Sequence, residues 1–404
     1  MDSVILQKPL YVNMIYGPVK SGKSSELVTI ILSLLRGGHV DENKIEVFKH
    51  PSSDKEHKGV IHAKSGIEYP AFEAETAKEI FDKIKKNPES KYIFIGGVNF
   101  YEGKDIVRLV EALRDSQRFV TMEGLNLNGD GKPFNQMGDL MCLAQHYVKK
   151  SAISPKNGKI ADMSIKKGKG YIPISREEFF GFEGAENPKI TAIVGPMYSS
   201  KTETLLDEIA KLKLTEKAYP NSPFYKHAIF KSNIDTRYKK GEITSHNLRS
   251  EPCQIIGCGK ELEDFINSMK PKRKRIVVDE AQFIGNIGEV VEKYYKEGYS
   301  FIITALKRDY KGEPFNEDIG KILCLADDLI DRIGLCSHPG CDNIATETQR
   351  FVYRDGARIA SSYDEPQIQQ GAKEAYTSRC SDHHMVRNKE KGYEKFSELL
   401  NLVR

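Results

Sequence analysis

The sequence predicts an α/β protein of two tandem domains, each a parallel sheet covered by helices and opened by a phosphate-binding loop. Three observations carry this. The chain repeats itself, each repeat starts with an apolar strand that runs into a Gly-Pro loop and a helix-forming stretch, and the later strands are continuous apolar runs. VNMIYGPVKSGKSSELV in the first repeat returns as ITAIVGPMYSSKTETLL in the second. SSDKEHKGVI returns as NIDTRYKKGEI, IFIGGVNF as IVVDEAQF, VTMEGLNLNGDGKPFNQM as IITALKRDYKGEPFNEDI, and MCLAQHYV as LCLADDLI. Five blocks in one order mark a duplication rather than two unrelated domains sharing one loop. Runs such as KRIVVD and YSFIITAL alternate with nothing polar, the pattern of strands buried on both faces of a parallel sheet.

Bulk composition agrees with two domains. A chain of 404 residues exceeds what one ordinary core supports. With 39% hydrophobic and 29% charged residues it reads as a soluble globular protein, with no apolar stretch long enough to span a bilayer. The start, MDSVILQKPLYV, has no secretory pattern, so a cytoplasmic location is expected. The 61 basic and 57 acidic side chains are mixed, and the net charge of +4 marks no nucleic-acid surface. The basic run Lys272, Arg273, Lys274 and Arg275 borders a buried strand and reads as a solvated turn.

In the first repeat Gly17, Pro18, Val19, Lys20, Ser21, Gly22, Lys23 and Ser24 fit G-x-x-x-x-G-K-[ST] between a strand and a helix. Backbone N–H groups of such a loop point at phosphate, the lysine neutralises it, and the hydroxyl reaches magnesium. The second repeat runs Gly195, Pro196, Met197, Tyr198, Ser199, Ser200, Lys201 and Thr202, so Ser200 stands where Gly22 does. A left-handed backbone there would strain a serine by about 1–2 kcal/mol. Phosphoryl transfer also needs a carboxylate near magnesium and a group to orient or deprotonate the attacking hydroxyl. Asp279 and Glu280 end the second repeat's strand RIVVD and fit both needs, whereas the first repeat has Gly96 and Gly97 and offers neither. Asp235 and Arg237 in DTRY add a carboxylate and a phosphate-binding guanidinium.

Of seven cysteines, three lie near the end: Cys336 and Cys341 as C-x4-C, and Cys380 with His383 as C-x2-H. Three cysteines and a histidine in paired spacing suit a structural zinc site, with His338 and His384 as alternative ligands. No cysteine follows Cys142 in the first repeat, so its counterpart region is not expected to close in the same way.

With GPMYSSKT, DTRY, VVDEAQF, GEPF, C-x4-C, TQR, GAKEAY and C-x2-H in order, residues 188–385 resemble thymidine kinases of the zinc-containing type. The resemblance implies a RecA-like sheet followed by a zinc-held lasso over the nucleoside. It implies ATP with magnesium as phosphate donor, thymidine and deoxyuridine as acceptors, and Glu280 as the base. Lys201, Thr202, Asp235, Arg237 and Asp279, with Gly195, Ser199 and Ser200 of the loop, would handle magnesium and phosphate. Met197, Phe283, Leu306, Tyr310, Thr348, Gln369, Gly371 and Tyr376 match positions around the nucleoside, the backbone at Gln370 included. Tyr310 stands where the family usually has phenylalanine, and Lys307 where it has aspartate. The first repeat resembles a degraded copy, silent in catalysis, in which YIPIS is a remnant of EAYTSRC.

The domains expected are therefore a degenerate copy over 1–150, a linker with an eroded lasso over 151–187, a catalytic domain over 188–332, and a lasso with a C-terminal helix over 333–404. Feedback inhibition by thymidine triphosphate and a homodimer mimicking a tetramer are further implications of the resemblance. A non-catalytic nucleotide sensor or scaffold is the alternative reading.

Overall fold

A computed structural model describes residues 10–36, 40–168, 170–182, 187–222, 224–234, 241–245, 247–269, 274–369 and 375–390. Asp235, Arg237, Gln370, Gly371 and the expected C-terminal helix beyond residue 390 lie outside these. Among the described residues, 10–181 with 389 and 390 form one compact unit and Phe182–Asn388 the other.

Each unit is built on a six-stranded sheet. In the first the spatial order is Phe72–Glu73, Ile45–Lys49, Tyr92–Gly96, Phe119–Gly124, Val12–Tyr16 and His146–Lys149, with every pair parallel. The second repeats the order as Gln254–Ile256, His227–Ser232, Arg275–Asp279, Ser300–Ala305, Ile190–Val194 and Asp328–Asp331, again all parallel. The strand that leads into the phosphate loop thus lies next but one to the strand that ends at Asp279. Central strands are apolar on both faces because helices cover both: Ile276, Val277 and Val278 are wholly buried.

The helix after each loop shows how the repeat survived sequence change. Lys201–Ala218 buries Leu205, Leu206, Ile209 and Leu212, and Lys23–Arg36 buries Leu27, Val28, Ile31 and Leu34, the same stripe at i, i+1, i+4 and i+7. These side chains pack on Ile193 and Val277 in the second unit and on Ile15 and Val47 in the first. Full burial of each stabilises by about 2 kcal/mol.

Residues 152–180, which composition reads as a linker with an eroded remnant, hold two antiparallel strand pairs and the short helix Arg176–Phe180. Their register matches that of the cysteine-bearing region in the second unit. Ala152–Ile153 pairs with Ile160–Ala161 as Gly334–Leu335 pairs with Ile344–Ala345. Ser164 faces Pro173 as Thr348 faces Ser378, which sets Tyr171 opposite the position equivalent to Arg350 and aligns it with Tyr376. The YIPIS segment is therefore the topological equivalent of YTSRC. Where a long segment separates Glu347–Arg354 from Tyr376–Arg379, only two residues separate Met163–Lys167 from Gly170–Ile174.

Candidate functional site

Both phosphate loops adopt one conformation. Gly195 has φ 147°, and a Cβ there would lie 2.0 Å from the Arg332 carbonyl oxygen; at Gly17, with φ 145°, it would lie 1.9 Å from that of Lys150. Tyr198 and Lys20 are left-handed in each, and so are Ser200 (φ 60°) and Gly22 (φ 82°). The glycine missing from the second motif thus sits at a position that favours glycine, and Ser200 holds a strained backbone. Ser200→Gly should stabilise the second unit by about 1 kcal/mol, read as a higher denaturation midpoint; an unchanged or lower midpoint would show that the loop bears no strain there. Lys201 is buried and donates to the Pro196 carbonyl at 2.7 Å, as Lys23 does to that of Pro18 at 2.6 Å. Ser199 Oγ also donates to Pro196 O, at 2.8 Å, and Thr202 is half-buried in the first turn of the helix.

At the end of strand Arg275–Asp279 one carboxylate is held from the neighbouring strand and the next from the turn that follows it. Asp279 is buried and accepts from Thr304 Oγ1, and the same hydroxyl oxygen accepts from the Glu280 amide at 3.0 Å. Glu280 is left-handed at φ 55°, and its Oε2 accepts from Gln282 Nε2 at 2.6 Å. Gln282 is clamped in turn, since its Oε1 accepts the Leu306 amide at 3.1 Å and its carbonyl the Asn316 side chain at 3.1 Å. A bulky residue with positive φ costs about 1–2 kcal/mol and persists only where its surroundings over-determine it. Thr304 and Gln282 supply that constraint.

The expected nucleoside residues are distributed over this region. Phe283 meets Phe315 edge-on at 5.6 Å, Leu306 is nearly buried, Met197 is half-buried, and the Tyr376 hydroxyl donates to the Gln369 carbonyl at 3.1 Å. Thr348 turns its Oγ1 to the Met197 amide at 3.1 Å and so ties the lasso root to the phosphate loop. Tyr310 is 3% exposed and lies under the buried Arg350, whose guanidinium carbon is 3.5 Å from the ring centroid. The Tyr310 hydroxyl bridges the carbonyls of Ser362 and Glu365, both at 2.8 Å, so the residue that departs from phenylalanine pins the lasso with its extra oxygen. Lys307, the other departure, pairs with Asp331 at 2.7 Å. Arg308 makes a buried two-point pair with Glu347, while the equivalent residues of the first unit, Leu127 and Met163, are both buried and apolar.

The turn beneath the lasso carries a buried acid. Burial, reinforced by the charge of Glu313, pushes the Asp309 carboxyl up to about 6. Folding raises this pKa, so the contribution of Asp309 is most favourable below its unfolded value of 3.8 and is lost as pH rises through about 6. Asp309 Oδ1 accepts the Lys311 and Glu313 amides at 2.8 and 3.2 Å; in the first unit Asn128 Oδ1 accepts those of Asp130 and Lys132 at 2.9 and 3.1 Å. An asparagine therefore fits the turn. Asp309→Asn should stabilise the second unit by about 1 kcal/mol more at pH 7.5 than at pH 5. Denaturation midpoints at the two pH values test this, and a gain that does not grow with pH would contradict it.

Cys336, Cys341, Cys380 and His383 come together with their ligand atoms within 4.8 Å of one another. The Cys341 and Cys380 sulfurs are 3.9 Å apart, and His383 Nδ1 is 3.7 Å from Cys336 Sγ and 3.2 Å from Cys380 Sγ. A tetrahedron of thiolates around zinc has edges of roughly 3.8 Å, so the four atoms fit that ion. Of the alternative ligands, His338 stacks on His383 at 3.9 Å and His384 Nε2 bonds to the Tyr310 carbonyl at 2.9 Å. Burial opposes ionisation of the Cys336 thiol, yet hydrogen bonds from the backbone and His383 bring it down to about 6, favouring the thiolate a metal needs.

The first unit, which lacks the cysteines, closes at the same place in a different way, through hydrogen bonds between side chains. Ser154 donates its amide to Lys159 O as Cys336 does to Asn343 O, and the paired registers set Ser154, Asn157, Ser175 and Glu178 at the places of Cys336, Cys341, Cys380 and His383. Glu178 Oε2 accepts from the Ser154 hydroxyl at 2.8 Å and the Ser175 hydroxyl at 3.2 Å, and Asn157 Nδ2 reaches Ser175 Oγ at 3.5 Å. Ser164 Oγ still accepts the Val19 amide at 3.0 Å, as Thr348 accepts that of Met197.

At the carboxylate position the first unit differs again. Gly96 and Gly97 replace Asp279 and Glu280, but Glu123 stands where Thr304 does, opposite Ile15 as Thr304 is opposite Ile193. Its Oε1 lies 3.6 Å from where a Gly96 Cβ would be and accepts the Gly97 amide at 2.9 Å. A Cβ on Gly97 would come within 2.5 Å of the Ser53 Cβ, so this place is closed to a side chain.

Among solved structures, the cytoplasmic domain of EssC is similar at 12% identity, over 77% of this chain and 84% of that one, with a TM-score of 0.23. The cytoplasmic domain of the type VII secretion ATPase EccC of Thermomonospora curvata is similar at 9% identity, over 87% and 57%, with a TM-score of 0.24. The thymidine kinase family matches residues 10–179 and again residues 188–384, one segment for each repeat. With nearly the whole sequence inside those two segments, the chain belongs to the thymidine kinase family.

Proposed function

We propose that the second unit transfers the γ-phosphate of ATP to the 5′-hydroxyl of thymidine, and of deoxyuridine, while the first unit does no chemistry. The observation that carries this reading is the Asp279–Glu280 pair, present at the carboxyl end of the sheet in the second unit and replaced by Gly96 and Gly97 in the first. The hydroxyl oxygen attacks the γ-phosphorus, its proton passes to the Glu280 carboxylate, and the bond to the bridging oxygen breaks to release ADP. Glu280 is oriented for this by Gln282, which is itself anchored on Leu306 and Asn316. Lys201 leaves its loop carbonyl for the phosphates, and the loop amides receive their oxygens. Magnesium, when bound, neutralises phosphate charge; Thr202 and Asp279 are the residues in the described region suited to hold it, with Asp235 beyond it. The lasso, pinned through Tyr310, Thr348 and the cysteine cluster, excludes water from the acceptor.

Incubating the full chain with thymidine and γ-labelled ATP tests the reading directly. Labelled thymidine monophosphate is expected, and ATP binding without it would leave the sensor alternative in possession.

A further inference from the structure

The geometry points to a second nucleotide site: the first unit binds a magnesium–nucleoside triphosphate, with Glu123 supplying from the neighbouring strand the carboxylate that Gly96 lacks, and holds it without transferring phosphate. The inference does not rest on what the second unit phosphorylates. Its first support is the loop, which has the full G-x-x-x-x-G-K-S pattern, the same conformation as the second loop, and glycine at the left-handed place before the lysine.

The second support is charge placed in advance of a ligand. Lys23 is buried, and its hydrogen bonds go to uncharged oxygens, Pro18 O at 2.6 Å and Ser21 Oγ at 3.4 Å. Glu123 is 6% exposed and accepts an uncharged donor, the Gly97 amide. Burial lowers the lysine's pKa and raises the acid's, and each charge offsets part of that effect on the other. A magnesium–triphosphate would bring an anion to the lysine and a cation to the carboxylate, with the half-buried Ser24 hydroxyl at the helix start.

The third support is an unpartnered donor. Asn99 stands where Gln282 does, and its Oδ1 accepts the Leu125 amide at 3.0 Å as Gln282 Oε1 accepts that of Leu306. Gln282 spends its other atom on Glu280; Asn99 Nδ2, on a residue 1% exposed, has no partner among the described residues because Gly97 has no side chain. A buried donor left in this state favours an oxygen delivered from outside. The same absence explains why the bound nucleotide is not consumed. No base stands at Gly97, Ser53 closes that place to one, and the two residues between Lys167 and Gly170 are too few to make a lasso over an acceptor.

Equilibrium dialysis of the full chain against a labelled, non-hydrolysable imido analogue of ATP tests the proposal. With magnesium, two nucleotides per chain are expected, one after Lys201→Ala and none after Lys23→Ala is added. In the Lys201→Ala background Glu123→Gln and Ser24→Ala should each weaken binding about tenfold in magnesium and little in EDTA, which keeps the test independent of any misfolding caused by removing Lys23. A single nucleotide per chain, lost on Lys201→Ala, would overturn the proposal, as would binding at the first unit that ignores both Glu123→Gln and Ser24→Ala. Thymidine monophosphate formation is read separately, so failure of the second unit's proposed activity leaves this outcome unaffected.

Discussion

Glu280→Gln should lower turnover by about 10²–10⁴-fold, the usual contribution of a positioned proton acceptor, while thymidine binding changes little. The substitution is nearly isosteric, so the left-handed turn and the contacts of Gln282 with Leu306 and Asn316 are retained. The contact from Gln282 Nε2 is kept as well, because an amide oxygen also accepts it. A fall in turnover under saturating substrates with unchanged calorimetric thymidine affinity is the expected signature. Turnover within a few-fold of the parent would remove Glu280 from the proton-transfer role, and loss of thymidine binding in parallel would make it a binding residue instead.

Removing the metal should have an effect of comparable size on the acceptor side. Structural zinc sites contribute on the order of 10 kcal/mol of folding free energy, and here the ligands join residues 336–341 to residues 380–383. Glu347–Arg354, which carries Thr348 and Arg350, is paired to Tyr376–Arg379 immediately before Cys380. Cys380→Ser, or prolonged chelation, is therefore expected to release one zinc per chain and weaken thymidine binding at least tenfold. The first unit, closed by Ser154, Asn157, Ser175 and Glu178, should keep its own unfolding transition under the same treatment. Metal content by emission spectroscopy, thymidine affinity and thermal unfolding together check this. A metal-free chain that binds thymidine normally would sink the proposed link between cluster and lasso.

What the sequence disclosed and what it withheld follow a physical division. The phosphate loops, the Asp279–Glu280 pair and the cysteine cluster are local patterns, because each places its groups through a turn or a short spacing. The parallel sheets were legible for a related reason, since strands buried on both faces leave no polar alternation. Thr304, Gln282 and Glu123 act across strand register, and register depends on the assembled sheet rather than on neighbours in the chain. Glu123 lies inside a repeat block that aligns by eye, yet only the pairing of Gly96 with Glu123 shows that it reaches the place of the aspartate in the preceding block. The hydrogen-bonded substitute for the zinc cluster was invisible because serines, an asparagine and a glutamate have no required spacing, and the stretch that carries them has the composition of a linker.

Ser200, Glu280 and Asn286 are among the second-unit residues that carry side chains on a left-handed backbone. The first unit has Gly22, Gly97 and Gly103 there, all with positive φ. One chain thus contains both a tense and a relaxed edition of the same framework, matched in sheet order and loop shape. Replacing Ser200, Glu280 and Asn286 by glycine one at a time would measure what catalytic geometry costs in conformational stability, against a reference half that shares the same solvent, concentration and history of synthesis.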